Sequence, residues 1–229
     1  MKLASFFSGG KDSMYAIYLA QKQGHKIKCL LSVFPKSEES HLLHHPNILW
    51  TKLQSESMNI PQLTINSNSD QTDDELSVME NLLQTAKDQF QIEGVVHGGI
   101  KSKFQKDKFQ SICSKLNLVV IAPLWETVPE EYMNALIDSN FVFILTSVSS
   151  DGLDDSWLGK IITRSDILSL KNLSEKFGFN LNFEGGEAET FVIDCPLFTN
   201  SIKINQSQKQ WDGYRGRFEI VDAELNYNA

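Results

Sequence analysis

Cysteine is scarce in this sequence: Cys29, Cys113 and Cys195 are the only three in 229 residues. They are odd in number and far apart, and no C-x-x-C occurs. That argues against a disulfide framework and against a zinc or iron–sulfur site made by this chain alone. Reduced thiols of this kind suit a cytoplasmic protein, which is the expected localisation. Long apolar runs are also missing. The first one, Leu3 to Phe7, breaks at Gly9-Gly10. It is too short for a signal peptide, and no later stretch could span a bilayer, so no membrane association is expected. Nor is there an excess of positive charge: 21 Lys and Arg stand against 29 Asp and Glu, a formal net charge of −8. Such a chain lacks the field that gathers polyphosphate backbones, which argues against nucleic acid as its partner. Repeats and low-complexity tracts do not stand out either.

What is present is an ordinary globular composition, with 41% hydrophobic residues, enough to bury a core. The length suits one large α/β domain, or one domain with a smaller annex. Leu3 to Phe7 ends at a glycine pair and reads as a buried strand. Met14 to Gln23 reads as a helix that stops at Gly24. Ile27 to Phe34 reads as a second strand, Pro46 to Met58 as a helix with Pro in its first turn, and Gln62 to Ile65 as a third strand. Asn66 to Asp74 is polar and acidic, and is expected to be a solvated loop. Leu76, Met79, Leu83, Ala86 and Phe90 recur at three- and four-residue steps, the signature of an amphipathic helix. Gly94 to His97 and Leu118 to Ala122 add two strands, with a helix around Phe109, Ile112 and Leu116 between them. Alternation of this kind implies a parallel sheet covered by helices.

The rhythm changes after Pro123-Leu124-Trp125, and a soft boundary falls near residue 125. Beyond it, Glu130 to Ile137 and Ser165 to Phe177 read as helices, and Phe141 to Val148 is an apolar run. Strand-like segments follow at Thr190 to Ile193, Ser201 to Ile204 and Phe218 to Val221. This second part is either a small domain of its own or an extension of the first.

The most informative segment is Ser8-Gly9-Gly10-Lys11-Asp12-Ser13, which closes the first strand and opens the first helix. A glycine pair lets backbone approach a ligand and turn successive N–H groups into one concavity. A helix start adds donor N–H groups and the positive end of a dipole, so phosphate is favoured there. Ser8 and Ser13 bring hydroxyls and Lys11 brings charge. Asp12 repels phosphate directly, so it would either cap the helix or hold a magnesium ion that bridges phosphates. The segment departs from G-x-x-x-x-G-K-[ST]: Ser5 stands where that pattern needs Gly, and Lys11 is followed by Asp. Without its neighbours the glycine pair would read as an ordinary strand-to-helix turn. Gly98-Gly99 after a strand is either a second close approach of backbone to ligand or a plain tight turn. Glu184, Glu187 and Glu189 flank Gly185-Gly186. They would hold a cation, or form a solvated acidic turn of the common kind. His97 has acid–base chemistry, yet nothing singles it out for the site.

The hexapeptide resembles the PP-loop of the N-type ATP pyrophosphatases, and the later motifs resemble the diphthine–ammonia ligase branch of that superfamily. His45-Pro46-Asn47 with Gln54-Ser55-Glu56 is similar to a segment of that branch. Gly94 to Ser102 with Phe104-Gln105-Lys106 resembles its G-x-I-x-S-x-Y-Q stretch. Pro123-Leu124-Trp125 resembles its P-L-W turn, and Gly152-Leu153-Asp154 with Leu158-Gly159-Lys160 a further paired signature. Glu184-Gly185-Gly186-Glu187-Ala188-Glu189-Thr190, followed by Asp194 to Phe198, resembles its E-G-G-E-x-E-T…D-x-P-L-F block. The ordered set, from about residue 3 to residue 204, is far more specific than the first loop alone.

The resemblance implies a Rossmann-like, HUP-type parallel α/β domain over residues 1–125 that binds ATP, and a smaller C-terminal α+β part over 126–229 that binds substrate. It implies that Ser8, Gly9, Gly10, Lys11, Asp12, Ser13 and Gly98 bind ATP, with Lys11 and Asp12 catalytic and Asp12 on Mg²⁺. Glu184, Gly185, Gly186, Glu187, Glu189 and Thr190 would then bind substrate. The implied reaction is amidation of the diphthine carboxylate of elongation factor 2 by ammonium through an adenylate, releasing AMP and pyrophosphate. Negative charge, and aromatic faces such as Trp125, would suit the trimethylammonium of diphthine. Trp125, Trp157 and Phe198 would otherwise be core residues. A glutaminase domain does not fit in this length, so ammonia is expected to be free or delivered by a partner. A homodimer is left open. Three positions depart from the family pattern: Phe183 where Gly usually precedes E-G-G-E, Ala188 where an aromatic is usual, and Phe104 where Tyr is common. They bear on the substrate pocket more than on the ATP site. Two alternatives remain, another PP-loop adenylating enzyme such as a tRNA-modifying one, and a non-catalytic adenine-nucleotide sensor.

Overall fold

A computed structural model describes residues 1–34, 47–67, 72–99 and 103–227. The chain forms two units. The first comprises Met1–Ser8, Asp12–Ile48 and Asn59–Trp125, and the second Gly9–Lys11, Leu49–Met58 and Glu126–Ala229. The second unit is thus assembled from three pieces of chain, one of them the middle of the glycine loop.

The first unit is built on a sheet of five parallel strands: β1 (Lys2–Phe6), β2 (Lys26–Phe34), β3 (Gln62–Asn66), β4 (Gly94–Val96) and β5 (Val119–Ile121). Their order across the sheet is β3-β2-β1-β4-β5. The connecting helices are α1 (Lys11–Lys22), α3 (Thr72–Phe90) and α4 (Lys103–Lys115), with α2 (Thr51–Met58) belonging to the second unit. The three-and-four spacing in α3 produces the expected burial. Met79, Leu83 and Ala86 pack with Ala4, Leu31, Val33, Val95 and Ile112 in one apolar core, and Leu76 and Phe90 lie at its margin. Helix α1 opens at Lys11, three residues before the apolar pattern does. It ends before Gly24, whose φ of +84° is the left-handed geometry expected of a helix-stopping glycine.

Two sequence expectations need correction. The segment read as one helix from Pro46 begins as a 3₁₀ turn, Ile48–Trp50, and becomes α-helical only at Thr51. Pro46 itself lies outside the described residues. The acidic stretch read as a loop is divided: Asn66 ends β3 and Thr72–Asp74 already belong to α3, while residues 68–71 lie outside the described residues. Acidic residues, read as a loop signal, are equally what the positive end of a helix favours.

The second unit carries a sheet of order β7-β6-β9-β8, formed by β6 (Val142–Val148), β7 (Ala188–Asp194), β8 (Ile202–Trp211) and β9 (Gly216–Leu225). Every pairing in it is antiparallel. Helices α5 (Pro129–Asp138) and α6 (Arg164–Phe177) pack on one another. Proline opens α5, where its missing N–H is harmless. Helix α6 is closed at both ends by its own sequence. Thr163 and Asp166 form a reciprocal capping box, and Gly178, at φ +80°, takes the left-handed C-terminal position. The paired signatures Gly152-Leu153-Asp154 and Leu158-Gly159-Lys160 have structural uses. A side chain at Gly152 would strike the Phe177 ring, and one at Gly159 the Phe218 ring. Asp154 caps a short 3₁₀ turn by accepting from Ser156 N–H at 3.0 Å.

Burial alone would raise the pKa of Asp166. Hydrogen bonds from Lys160 Nζ and from Thr163 outweigh it and hold the carboxyl below its usual value. A depressed carboxylate stabilises the fold above its unfolded pKa, and that contribution is lost as pH falls through the folded one. Asp166→Asn should therefore be less stable than the parent at neutral pH by about 1 kcal/mol, the usual size of a lost cap. Urea titrations at about pH 7 and at successively more acidic pH should show that difference and then its decline.

Candidate functional site

The order β3-β2-β1-β4-β5 places the reversal of strand order between β1 and β4. In open parallel sheets ligands settle at the carboxyl ends of the strands flanking that reversal, where the two outgoing connections diverge. Both loops singled out in the sequence leave from there, Ser8 to Ser13 after β1 and Gly98-Gly99 after β4. In the first unit they touch. A β-carbon at Gly98 would lie 2.5 Å from the carbonyl carbon of Asp12 and 2.7 Å from Ser13 N, so only glycine lets the turn after β4 meet the opening of α1. Ser13 Oγ lies 3.2 Å from Ser8 Oγ and 3.4 Å from Ser8 N, which closes the loop across its own ends. His97 is buried and stacks on Phe109, and its Nδ1 accepts from Gly99 N–H at 3.0 Å. Both observations give it a packing role in the turn.

In the second unit the middle of the loop is held from several sides. The Gly9 carbonyl accepts from Val192 N–H at 3.0 Å and from Gln54 Nε2 at 2.9 Å. The Lys11 N–H donates to Thr190 Oγ1 at 3.0 Å. The Lys11 side chain, 2% exposed, extends to the Asn182 carbonyl at 2.7 Å. Its ammonium sits 5.7 Å from the centre of the Tyr132 ring and 5.6 Å from that of Phe183, within cation–π range. Lys11 was picked from the sequence as a charge for phosphate. The structure brings it to Asn182, Tyr132 and Phe183, and so gives its side chain an anchoring function.

The acidic block divides in the same way. Glu187 accepts from Asn180 N–H at 2.8 Å, from Asn180 Nδ2 at 2.7 Å and from Gly185 N–H at 2.8 Å. Its carboxylate therefore ties the Glu184-Gly185-Gly186 turn to the segment before it. Glu184 and Glu189 are half-buried, and Thr190 is bound to the loop as described. Phe183 has φ +63°, a backbone geometry that costs a residue with a β-carbon about 1–2 kcal/mol and costs glycine nothing. The glycine that the family resemblance implies at this position would carry no such cost. In this chain the strained ring is buried, stacked on Phe179 and set against Lys11. Ala188, the other departure, is buried and paired with Val148. Phe104 falls where side chains lie outside the described set.

These donors suit a phosphate-bearing ligand: a glycine turn with positive φ at Gly9, serine hydroxyls and the start of a helix. A divalent cation is different. Among the described residues no three His, Cys, Asp or Glu side chains gather as a metal site. Magnesium held by Asp12 would take its remaining ligands from phosphate oxygens and water. A cysteine nucleophile has no place here, because burial pushes Cys29, Cys113 and Cys195 up to about 12. Gln54 and Asn182 were missed as site residues. Gln54 was noticed only within a family segment. The available signal was a helix, α2, whose buried positions are largely polar: Thr51, Gln54, Ser55 and Ser57.

A parallel sheet with a glycine turn and a helix start at its switch point defines the class of open-sheet α/β proteins that bind phosphate-bearing ligands. Comparison with known proteins narrows this. The diphthamide synthase N-terminal domain matches residues 1–120 and the diphthamide synthase C-terminal domain residues 128–225. The chain belongs to the diphthamide synthase family. A relative from Rattus norvegicus named diphthine–ammonia ligase is 34% identical over 226 residues, covering 91% of this chain and 84% of its own length. The protein of that name from Homo sapiens is 31% identical over the same shares. The one from Schizosaccharomyces pombe is 28% identical, and the match covers 37% of that longer protein. A solved structure described as a predicted subunit of a tRNA methyltransferase from Methanocaldococcus jannaschii superposes with a TM-score of 0.41 at 16% identity. It is covered to 98%, against 86% of this chain, and a likeness that distant says nothing about chemistry.

Gly98→Ala should force the β4 turn away from the opening of α1. The expected loss of stability is about 1–3 kcal/mol, as for other overpacked sites, measured by chemical denaturation. Gly99→Ala, which would meet only the His97 ring, should cost less.

Proposed function

We propose that this chain is an ATP-dependent ligase that amidates diphthine with ammonia, forming diphthamide, AMP and pyrophosphate. The observation that carries the reading is the glycine loop at the sheet's switch point, in a chain matched along both parts by the diphthamide synthase domains. The acceptor is the diphthine side chain of elongation factor 2, and the protein works in the cytoplasm, where that factor is found. No helix among the described residues is long and apolar enough to cross a membrane, which agrees with this setting.

Residues 1–125 take the nucleotide and residues 126–229 the acceptor. Ser8, Gly9, Gly10, Ser13 and Gly98 shape the phosphate cradle, the serines through hydroxyls and the glycines by keeping backbone close. Asp12 would hold Mg²⁺ beside the phosphates, where the ion would supply positive charge for the leaving group. Lys11 supports catalysis by fixing the loop through Asn182 and through Thr190. Glu184 and Glu189 offer negative charge to the trimethylammonium, on a turn that Glu187 holds in shape with Gly185 and Gly186. The diphthine carboxylate oxygen attacks the α-phosphorus, the bond to the β-phosphate oxygen breaks, and pyrophosphate leaves. Ammonia then attacks the activated acyl carbon, the bond to the AMP oxygen breaks, and the nitrogen gives its extra proton to solvent. The protein contributes position and fixed charge rather than a nucleophile of its own.

Pyrophosphate and AMP release from Mg-ATP should require both ammonium and diphthine-bearing elongation factor 2, and the factor should gain an amide by mass spectrometry. Asp12→Asn should lower kcat/KM by about a hundredfold, as removal of one transition-state contact does. Pyrophosphate release indifferent to the factor would point to another acceptor. Absence of release under every condition would sink the reading.

A further inference from the structure

We infer that Gln54 is the positioning residue of the phosphate loop: its side-chain amide sets the orientation of the Gly9–Gly10 peptide, and through it pyrophosphate affinity. The inference rests on the loop reading above. Gln54 is 0% exposed, on a helix whose buried side is largely polar. Its Nε2 donates to Gly9 O at 2.9 Å and to Val192 O at 2.7 Å. Both partners are carbonyls, which only accept, so the amide orientation is fixed: NH₂ toward the Gly9 and Val192 carbonyls, oxygen against the Gly9 α-carbon. That oxygen occupies the space where a β-carbon at Gly9 would stand, and Thr51 Cγ2 lies 2.9 Å from the same point. Helix α2 therefore enforces glycine at position 9 sterically and grips its carbonyl electrostatically.

The consequence for the loop is geometric. With Gly9 O tied to Gln54 and to Val192 N–H, the plane of the 9–10 peptide cannot rotate freely. No cis peptide occurs among the described residues, so the Gly10 N–H points opposite to that carbonyl, away from β7. Successive amides turned to one side are what a loop needs to cradle an anion. Gly9, at φ +80°, lies where glycine finds neighbouring conformations easily, so this peptide would flip without an external hold. Gln54 supplies the side-chain part of that hold from 45 residues away in sequence, beside the Val192 N–H.

The experiment uses the full chain and inorganic pyrophosphate with Mg²⁺ as the probe, titrated calorimetrically beside AMP. Gln54→Met keeps length and removes both donors. It should weaken pyrophosphate binding about tenfold, the size of one lost buried hydrogen bond, and leave AMP affinity within about twofold. A residue that serves only packing would lower thermal stability without separating the two ligands. Gln54→Glu gives a second reading. Ionised, its carboxylate faces two carbonyl oxygens. Protonated, it regains one donor, so its pyrophosphate affinity relative to the parent at the same pH should recover as pH falls from about 8 to about 5.5. Folded Gln54→Met that binds pyrophosphate like the parent overturns the inference. If Gln54→Met does not fold, a Gln54→Glu profile that runs parallel to the parent's overturns it. A parent protein that binds no pyrophosphate removes the loop reading itself, and the inference with it.

Discussion

An ammonium withdrawn from water costs several kcal/mol unless the protein answers it, and the Lys11 ammonium is almost wholly withdrawn. The answer is assembled from distant chain. It comprises a carbonyl at Asn182 and the faces of Tyr132 and Phe183, with a Thr190 hydroxyl on the same residue's backbone N–H. Each of these groups lies more than a hundred residues away in sequence. The glycine loop is therefore no free-standing turn. Its middle residues group with the second unit, where the Gly9 carbonyl and the Lys11 N–H and ammonium find partners. Disturbing that arrangement would leave a buried charge uncompensated, the more expensive direction of change.

The same dependence explains the strain nearby. Phe183 occupies a left-handed backbone region that glycine would enter freely, and its ring is set against Lys11 and stacked on Phe179. Burial of an aromatic ring stabilises by about 1.5–3 kcal/mol, against about 1–2 kcal/mol for the backbone geometry. The left-handed geometry is therefore tolerable for a well-packed ring, and would not be on the surface. Glu187 shows a parallel economy. A carboxylate that looks like a free charge in the sequence spends its acceptors on Gly185 N–H of its own turn and on two donors of Asn180 in the segment before it.

Much of the fold was legible. Strand–helix alternation and the helical spacing from Leu76 to Phe90 gave the parallel sheet and its core, because periodicity follows directly from burying one face. The errors were at boundaries. Acidic residues at 72–74 serve loops and helix starts equally well, and the helix read from Pro46 becomes α-helical only at Thr51. For the site, glycine and helix-start chemistry point to Ser8 to Ser13, which the structure places between β1 and α1 at the switch point of the sheet. Residue type could not say that Lys11 would point to Asn182, or that Glu187 would close on Gly185. Gln54 was the hardest, because a glutamine on a short helix carries no sign of which carbonyls it will meet.

What the sequence determined by itself was local: which stretches bury a face, where glycine must stand, and the order of motifs that marks the family. Those are properties of neighbouring residues and of backbone sterics. The tertiary structure alone decided which polar groups meet. Hydrogen bonds such as Gln54 to Val192, or Lys11 to Asn182, join residues 138 and 171 positions apart. Their existence depends on where two chain segments are brought by packing, and no spacing rule in the sequence encodes that.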